Sequence, residues 1–132
     1  MITSYFITEL RRRISRFQFN HIWFQQDGAR AHTAKESVSL LQRSFPRRLI
    51  SLETDTPYPA RSPDLTPLDF YLWGYLKDRV YIPPPKSLSD LKERITEEVQ
   101  QIDMATLQRV THSVIKRAKL VVEKKGGFIE IK

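Results

Sequence analysis

Cysteine is absent from this sequence of 132 residues, which excludes a disulfide scaffold and any thiolate zinc site and fits a reducing compartment. No apolar run approaches the roughly 20 residues that span a bilayer, so no membrane partner is expected. A secretory signal is excluded by order, because Arg11, Arg12 and Arg13 follow a broken apolar stretch instead of preceding one. No internal repeat is present. Glycine is scarce, with four residues against eight prolines and a hydrophobic fraction of 40%, the composition of ordinary globular material. Acidic charge is the minority: 15 Asp and Glu stand against 22 Lys and Arg, giving +7 and a pI near 9.9. A surplus of that size favours polyanion partners, since each neutralised phosphate releases condensed counterions.

The length is that of a single domain. Ile2, Phe6, Leu10, Ile14 and Phe17 recur at helical spacing, so residues 2–17 read as one amphipathic helix. The aromatic and β-branched run His21 to Phe24 reads as a buried strand ending at Gln25-Gln26-Asp27-Gly28. Thr33 and Glu36 fit a capping box opening a helix to about Gln42. Leu49 to Leu52 reads as a second strand, parallel to the first because a helix separates the two. The proline-dense stretch from Thr54 to Pro67 is expected to be an irregular loop. Thr66 and Asp69 form a second capping-box pattern with Pro67 at the first helical position, opening a helix to about Val80. Ser87 and Asp90 form a third. A helical part over residues 87–125 follows, closed by a C-cap at Gly126-Gly127.

Two aspartates stand where an α/β fold places chemistry. Asp27 follows the C-terminal end of the first strand, the edge at which open α/β sheets hold ligands. Asp69 sits in the first turn of the helix after the second strand. Carboxylates converging there suit a hard cation such as Mg²⁺, and paired ions can activate water and stabilise a leaving phosphodiester oxygen. Each also has a plain role, Asp27 as half of an Asp-Gly turn and Asp69 as a capping acid. Asp64 reads as a turn residue. His32 reads either as a structural histidine or as a group touching phosphate or metal. The aromatics after Asp69 read mainly as core, and the basic cluster around Lys116, Arg117 and Lys119 as a solvated face or a DNA contact.

Two stretches resemble a known family. The run from Phe24 to Thr33 (FQQDGARAHT) resembles the second catalytic block of mariner-superfamily transposases. The run from Tyr58 to Gly74 (YPARSPDLTPLDFYLWG) resembles the third. The resemblance covers roughly residues 17–127. It implies an α/β, ribonuclease H-like fold, of which this chain would carry a short parallel strand pair flanked by helices. The first three strands, including the one bearing the first catalytic aspartate, and the helix-turn-helix region that recognises element ends would lie upstream. Residues 1–132 would then be one truncated DDE/D catalytic domain.

The resemblance further implies that Asp27 and Asp69 are catalytic and hold Mg²⁺ or Mn²⁺ for DNA strand cleavage and transfer. Asp64 would belong to the framing loop. His32, Arg30, Arg61, Lys116, Arg117 and Lys119 are the expected nucleic-acid contacts. Transposon ends and target DNA are the implied partners, a homodimer is compatible with it, and a DNA substrate places the protein in the nucleus of a eukaryotic host. Arg30 stands where proline is common and Tyr58 where tryptophan is common. The 41 residues between Asp27 and Asp69 exceed the spacing of the best-known mariners. Because no aspartate precedes Asp27, the chain by itself is expected to be inactive. The alternatives are a catalytically dead nucleic-acid-binding remnant and a purely structural one.

Overall fold

The computed structural model describes residues 2–129. They form six helices and a three-stranded parallel sheet ordered β1-β2-β3, a mixed α/β architecture. The chain divides into two compact units, residues 1–61 and 62–132.

The first unit opens with α1 (Ile2–Arg13) and α2 (Arg16–His21), not the single helix expected over residues 2–17. The break is local chemistry. Ser15 accepts the Gln18 backbone N–H at 3.1 Å, and the Gln18 side chain accepts the Ser15 N–H at 2.9 Å. This complete capping box starts a new helix where the old one would have run on. α2 consumes His21, so strand β1 is only Phe24–Gln25, later than expected. Helix α3 (Lys35–Ser44) returns the chain to β2 (Leu49–Ser51). The parallel pairing places Phe24 opposite Leu49 and Gln25 opposite Ile50.

The stretch after β2 contains a third strand, β3 (Thr56–Pro57), where only irregular loop was expected. It pairs parallel to β2, Ile50 with Thr56 and Ser51 with Pro57. Parallel neighbours ordinarily need a crossover of about a dozen residues or more, and here the connection is a tight loop. Glu53 takes a left-handed φ of 59°. The Thr54 hydroxyl lies within 3.3 Å of the Leu49, Ser51 and Thr56 carbonyls and accepts the Ser51 N–H at 3.3 Å. One side-chain hydroxyl thus replaces the backbone partners that a longer crossover would supply. Pro57 is tolerated because β3 is an edge strand.

The core of this unit is Ile7, Phe19, Leu41, Phe45 and Leu49. Phe45 is fully buried and lies 5.1 Å from the Phe19 ring and 5.4 Å from the Phe24 ring. Helices α1, α2 and α3 and strands β1 and β2 therefore meet on one aromatic cluster.

In the second unit a 3₁₀ turn, Pro63–Leu65, precedes a π turn over Leu68–Leu72 that runs into α4 (Trp73–Val80). Helices α5 (Leu88–Gln100) and α6 (Met104–Glu123) follow. Leu76 and Val80 are buried on α4, whereas no residue of α5 or α6 is fully buried. Ser87 caps α5 as expected, accepting the Asp90 N–H at 3.1 Å. The Asp90 carboxylate reaches one residue further back than a standard box, accepting the Lys86 N–H at 2.7 Å, and also takes the Arg94 Nε–H at 2.9 Å. At the end of α6 the Gly126 N–H bonds Val121 O at 2.8 Å and the Lys125 N–H bonds Val122 O at 3.0 Å. That is a Schellman pattern, and its first left-handed residue is Lys125 at φ 52°, one residue ahead of the expected Gly126.

The Lys86 N–H, and then Arg94, hold the Asp90 carboxyl below its ordinary value of 3.8. A carboxyl depressed in the folded state contributes stability that is fully present above its unfolded pKa and is lost as pH falls through the folded pKa. Asp90→Asn should therefore lower the urea midpoint at pH 7. The gap to the parent protein should close in unfolding curves taken at pH 2.

Candidate active site at the sheet edge

Asp27 lies immediately beyond the carboxyl end of β1, as the sequence suggested. The ladder extends one residue past the strand, with the Gln26 N–H bonding Ile50 O at 2.9 Å. The Gln26 side chain then works in a second direction. Its Nε2 donates to the Ser51 hydroxyl on β2 and to the His32 carbonyl, both at 2.9 Å. Ser51 is completely buried, so this amide is fixed at one end to the sheet and at the other to the following loop.

That loop folds back as a 3₁₀ turn over Arg30–His32, with the His32 N–H on Ala29 O at 2.8 Å. The fold-back brings the His32 ring to Asp27. Asp27 Oδ1 lies 2.6 Å from His32 Nδ1 and accepts the Ala29 N–H at 3.1 Å. An ionised carboxylate only accepts, so Nδ1 carries the proton of this bond and Nε2 is the ring nitrogen left for other partners. The two side chains are about one-third exposed, 34% for Asp27 and 39% for His32. The Asp27 carboxylate is thereby oriented by two donors yet reachable from solvent. Thr33, expected to cap α3, instead directs its hydroxyl to the Arg30 carbonyl at 3.1 Å. It closes the 3₁₀ turn, and α3 begins without a side-chain cap.

Asp69 belongs to the second unit and is exposed. The capping box expected there does not form. The Asp69 and Phe70 N–H groups both bond the Thr66 carbonyl at 3.1 Å, and no side chain caps this end. Asp69 instead sits inside the π turn, which the Trp73 N–H closes on Leu68 O. Single π turns are rare and concentrate at functional positions. The Asp64 carboxylate accepts the Ile129 N–H at 3.3 Å.

The remaining expected contacts divide. Arg30 and Arg61 are exposed, Arg61 with a left-handed φ of 53°. Lys116 and Lys119 are exposed on α6. Arg117 is engaged within its own unit. Its guanidinium lies 4.1 Å from the Phe70 ring centroid, donates from Nε to Ser113 Oγ at 3.2 Å and approaches the Asp64 carbonyl at 3.5 Å. Gln26 and Ser51 were not singled out from the sequence. Their only signal was a polar pair, Gln25-Gln26, closing an otherwise aromatic strand.

Mg²⁺ is commonly held by one or two carboxylates, with water and phosphate oxygens completing the octahedron. Asp27 and Asp69 are donors of that type. A carboxylate has about four lone-pair sites, so the two bonds at Asp27 Oδ1 leave room for a cation. Among the described residues no three His, Cys, Asp or Glu side chains gather into a group that could hold a metal ion.

If Gln26 is the clip that holds the loop, Gln26→Ala should speed amide hydrogen exchange at His32 and Thr33. Roughly tenfold is expected, the equivalent of one lost hydrogen bond of about 1.4 kcal/mol. Unchanged exchange at both amides would mean that the 3₁₀ turn stands without it. No family model, curated protein or solved structure matches this chain.

Proposed function

We propose that this chain is part of the catalytic domain of a mariner-type transposase, built on a ribonuclease H-like fold, that cuts and joins DNA with Mg²⁺ or Mn²⁺. The observation that carries the proposal is the Asp27 carboxylate, oriented by His32 and the Ala29 N–H at the carboxyl edge of a parallel sheet. The π turn that carries Asp69 and the transposase-like runs around both aspartates support the same assignment.

Asp27 and Asp69 would hold the metal, each through carboxylate oxygen. Once bound, such an ion makes water a nucleophile near neutral pH and stabilises the charge that builds on a phosphodiester oxygen. The chain's own residues set the conditions. Gln26 fixes the loop to Ser51, so Asp27 does not swing with solvent. His32 shares the Asp27 charge through Nδ1 and thereby aims the carboxylate, as hydrogen-bonded partners of metal ligands do. Contact of Nε2 with a DNA phosphate oxygen would require the imidazolium form, in which both ring nitrogens donate. Arg30, one residue past Ala29 and exposed, adds positive charge on the same loop.

The first acid of the family's set has no counterpart before Asp27 within residues 1–132. These residues by themselves are therefore expected not to nick supercoiled DNA in Mg²⁺. In a chain that supplies the missing acid, Asp27→Asn and Asp69→Asn should each lower cleavage by about 10³-fold or more. The double substitution should cost little beyond either single one, because acids sharing metal ions act as a unit. Cleavage that survives either single change would remove that residue from the active site.

A further inference from the structure

The first unit carries a second cationic feature that the Asp27 edge does not use. Arg11 of α1, Arg16 of α2, Arg43 in the last turn of α3 and Arg48 before β2 line one open cleft of about 480 Å³, together with Phe19 and Pro46. Among the described residues no carboxylate pairs with any of the four; the ion pairs of this unit are those of Glu9 with Arg12 and Arg13, and of Asp27 with His32. Four guanidinium groups facing one cleft without an anion repel one another, an arrangement relieved by a bound anion.

Two of the four are already held in place. The Arg48 NH1 group donates to the Phe19 carbonyl at 2.9 Å and the Ile22 carbonyl at 2.6 Å, which leaves the donors on Nε and NH2. The Arg11 guanidinium lies 4.7 Å from the Phe19 ring centroid, a stacking contact that leaves its N–H edge unconsumed. Arginine recognises phosphate through paired N–H donors, and prior fixation of a side chain reduces the ordering cost of binding. Arg16 and Arg43 are exposed and make no such packing contact, so they are the closing members.

The surroundings favour a polymer over a small phosphorylated molecule. Phe19 is buried and its face is covered by Arg11, so no aromatic surface is left for a base or an apolar group. Positive charge continues beyond the cleft through exposed Arg47 beside Arg48, and through Arg12 and Arg13, which share the single acid Glu9. We propose that this arginine cleft seats a backbone phosphate of a nucleic-acid strand. Its binding is electrostatic and needs no metal, so it does not depend on Asp27 or Asp69 being catalytic.

The test is fluorescence anisotropy of a short labelled DNA duplex with the full 132-residue chain in EDTA, across a salt series. The double substitution Arg16→Gln/Arg43→Gln should weaken binding by about tenfold, the scale of one lost charge-assisted bond. It should also flatten the slope of log K against log salt by roughly 0.9, the contribution of one phosphate. Arg12→Gln/Arg13→Gln removes the same charge outside the cleft and should have a smaller effect on both. Equal losses in the two double variants would assign the binding to bulk charge and overturn the proposal. Unchanged DNA affinity in Arg16→Gln/Arg43→Gln would overturn it as well. So would an unchanged affinity accompanied by stabilisation of the parent chain, but not the variant, by inorganic phosphate, which would assign the cleft to a free anion.

Discussion

Gln26 bonds in two directions at once, and the geometry of the sheet edge follows from it. Its backbone N–H continues the β1–β2 ladder to Ile50, and its side-chain amide ties buried Ser51 to the His32 carbonyl. A two-residue strand has little pairing of its own to resist fraying. The side-chain clip adds two bonds where the ladder ends, and Phe24 of β1 packs on the aromatic cluster around Phe45. Because the loop is fastened, Asp27 and His32 meet at 2.6 Å instead of sampling solvent separately. The candidate chemistry at Asp27 is thus a consequence of how a very short strand is terminated.

The two aspartates are presented by different physical means. Asp27 is constrained through its side chain, with Ala29 and His32 both on Oδ1. Asp69 is constrained through its backbone, where a π turn widens the first helical turn and no cap consumes the carboxylate. The arginine cleft follows a third pattern, in which carbonyl bonds and ring stacking fix guanidinium groups without neutralising them.

Much of this was written in the sequence, in places where one residue type has one dominant use. The parallel pairing of β1 with β2 and the Ser87 cap emerged as spacing indicated, although β1 begins later than its aromatic run suggested. The division at Ser15 was legible too, as Ser-Arg-Phe-Gln is a capping box, but the apolar stripe running through it suggests one longer helix. β3 was hidden because two residues carry no periodicity and its support is the Thr54 hydroxyl. Thr33 misled because a hydroxyl three residues before Glu36 fits a cap equally well as a 3₁₀ closure. The π turn at Asp69 and the Arg117–Phe70 contact were beyond sequence patterns. The first is a backbone choice, and the second joins residues far apart along the chain.

The most direct measurement is a Mn²⁺ titration of the isotopically labelled chain, following paramagnetic broadening of backbone amide signals. If Asp27 holds a divalent ion, the amides of Gln26 to His32 should broaden at low Mn²⁺, and Asp27→Asn should abolish the effect while leaving the spectrum of the rest of the chain intact. Broadening that is uniform over the acidic surface, or that persists at this loop in Asp27→Asn, would contradict a metal-binding role for Asp27.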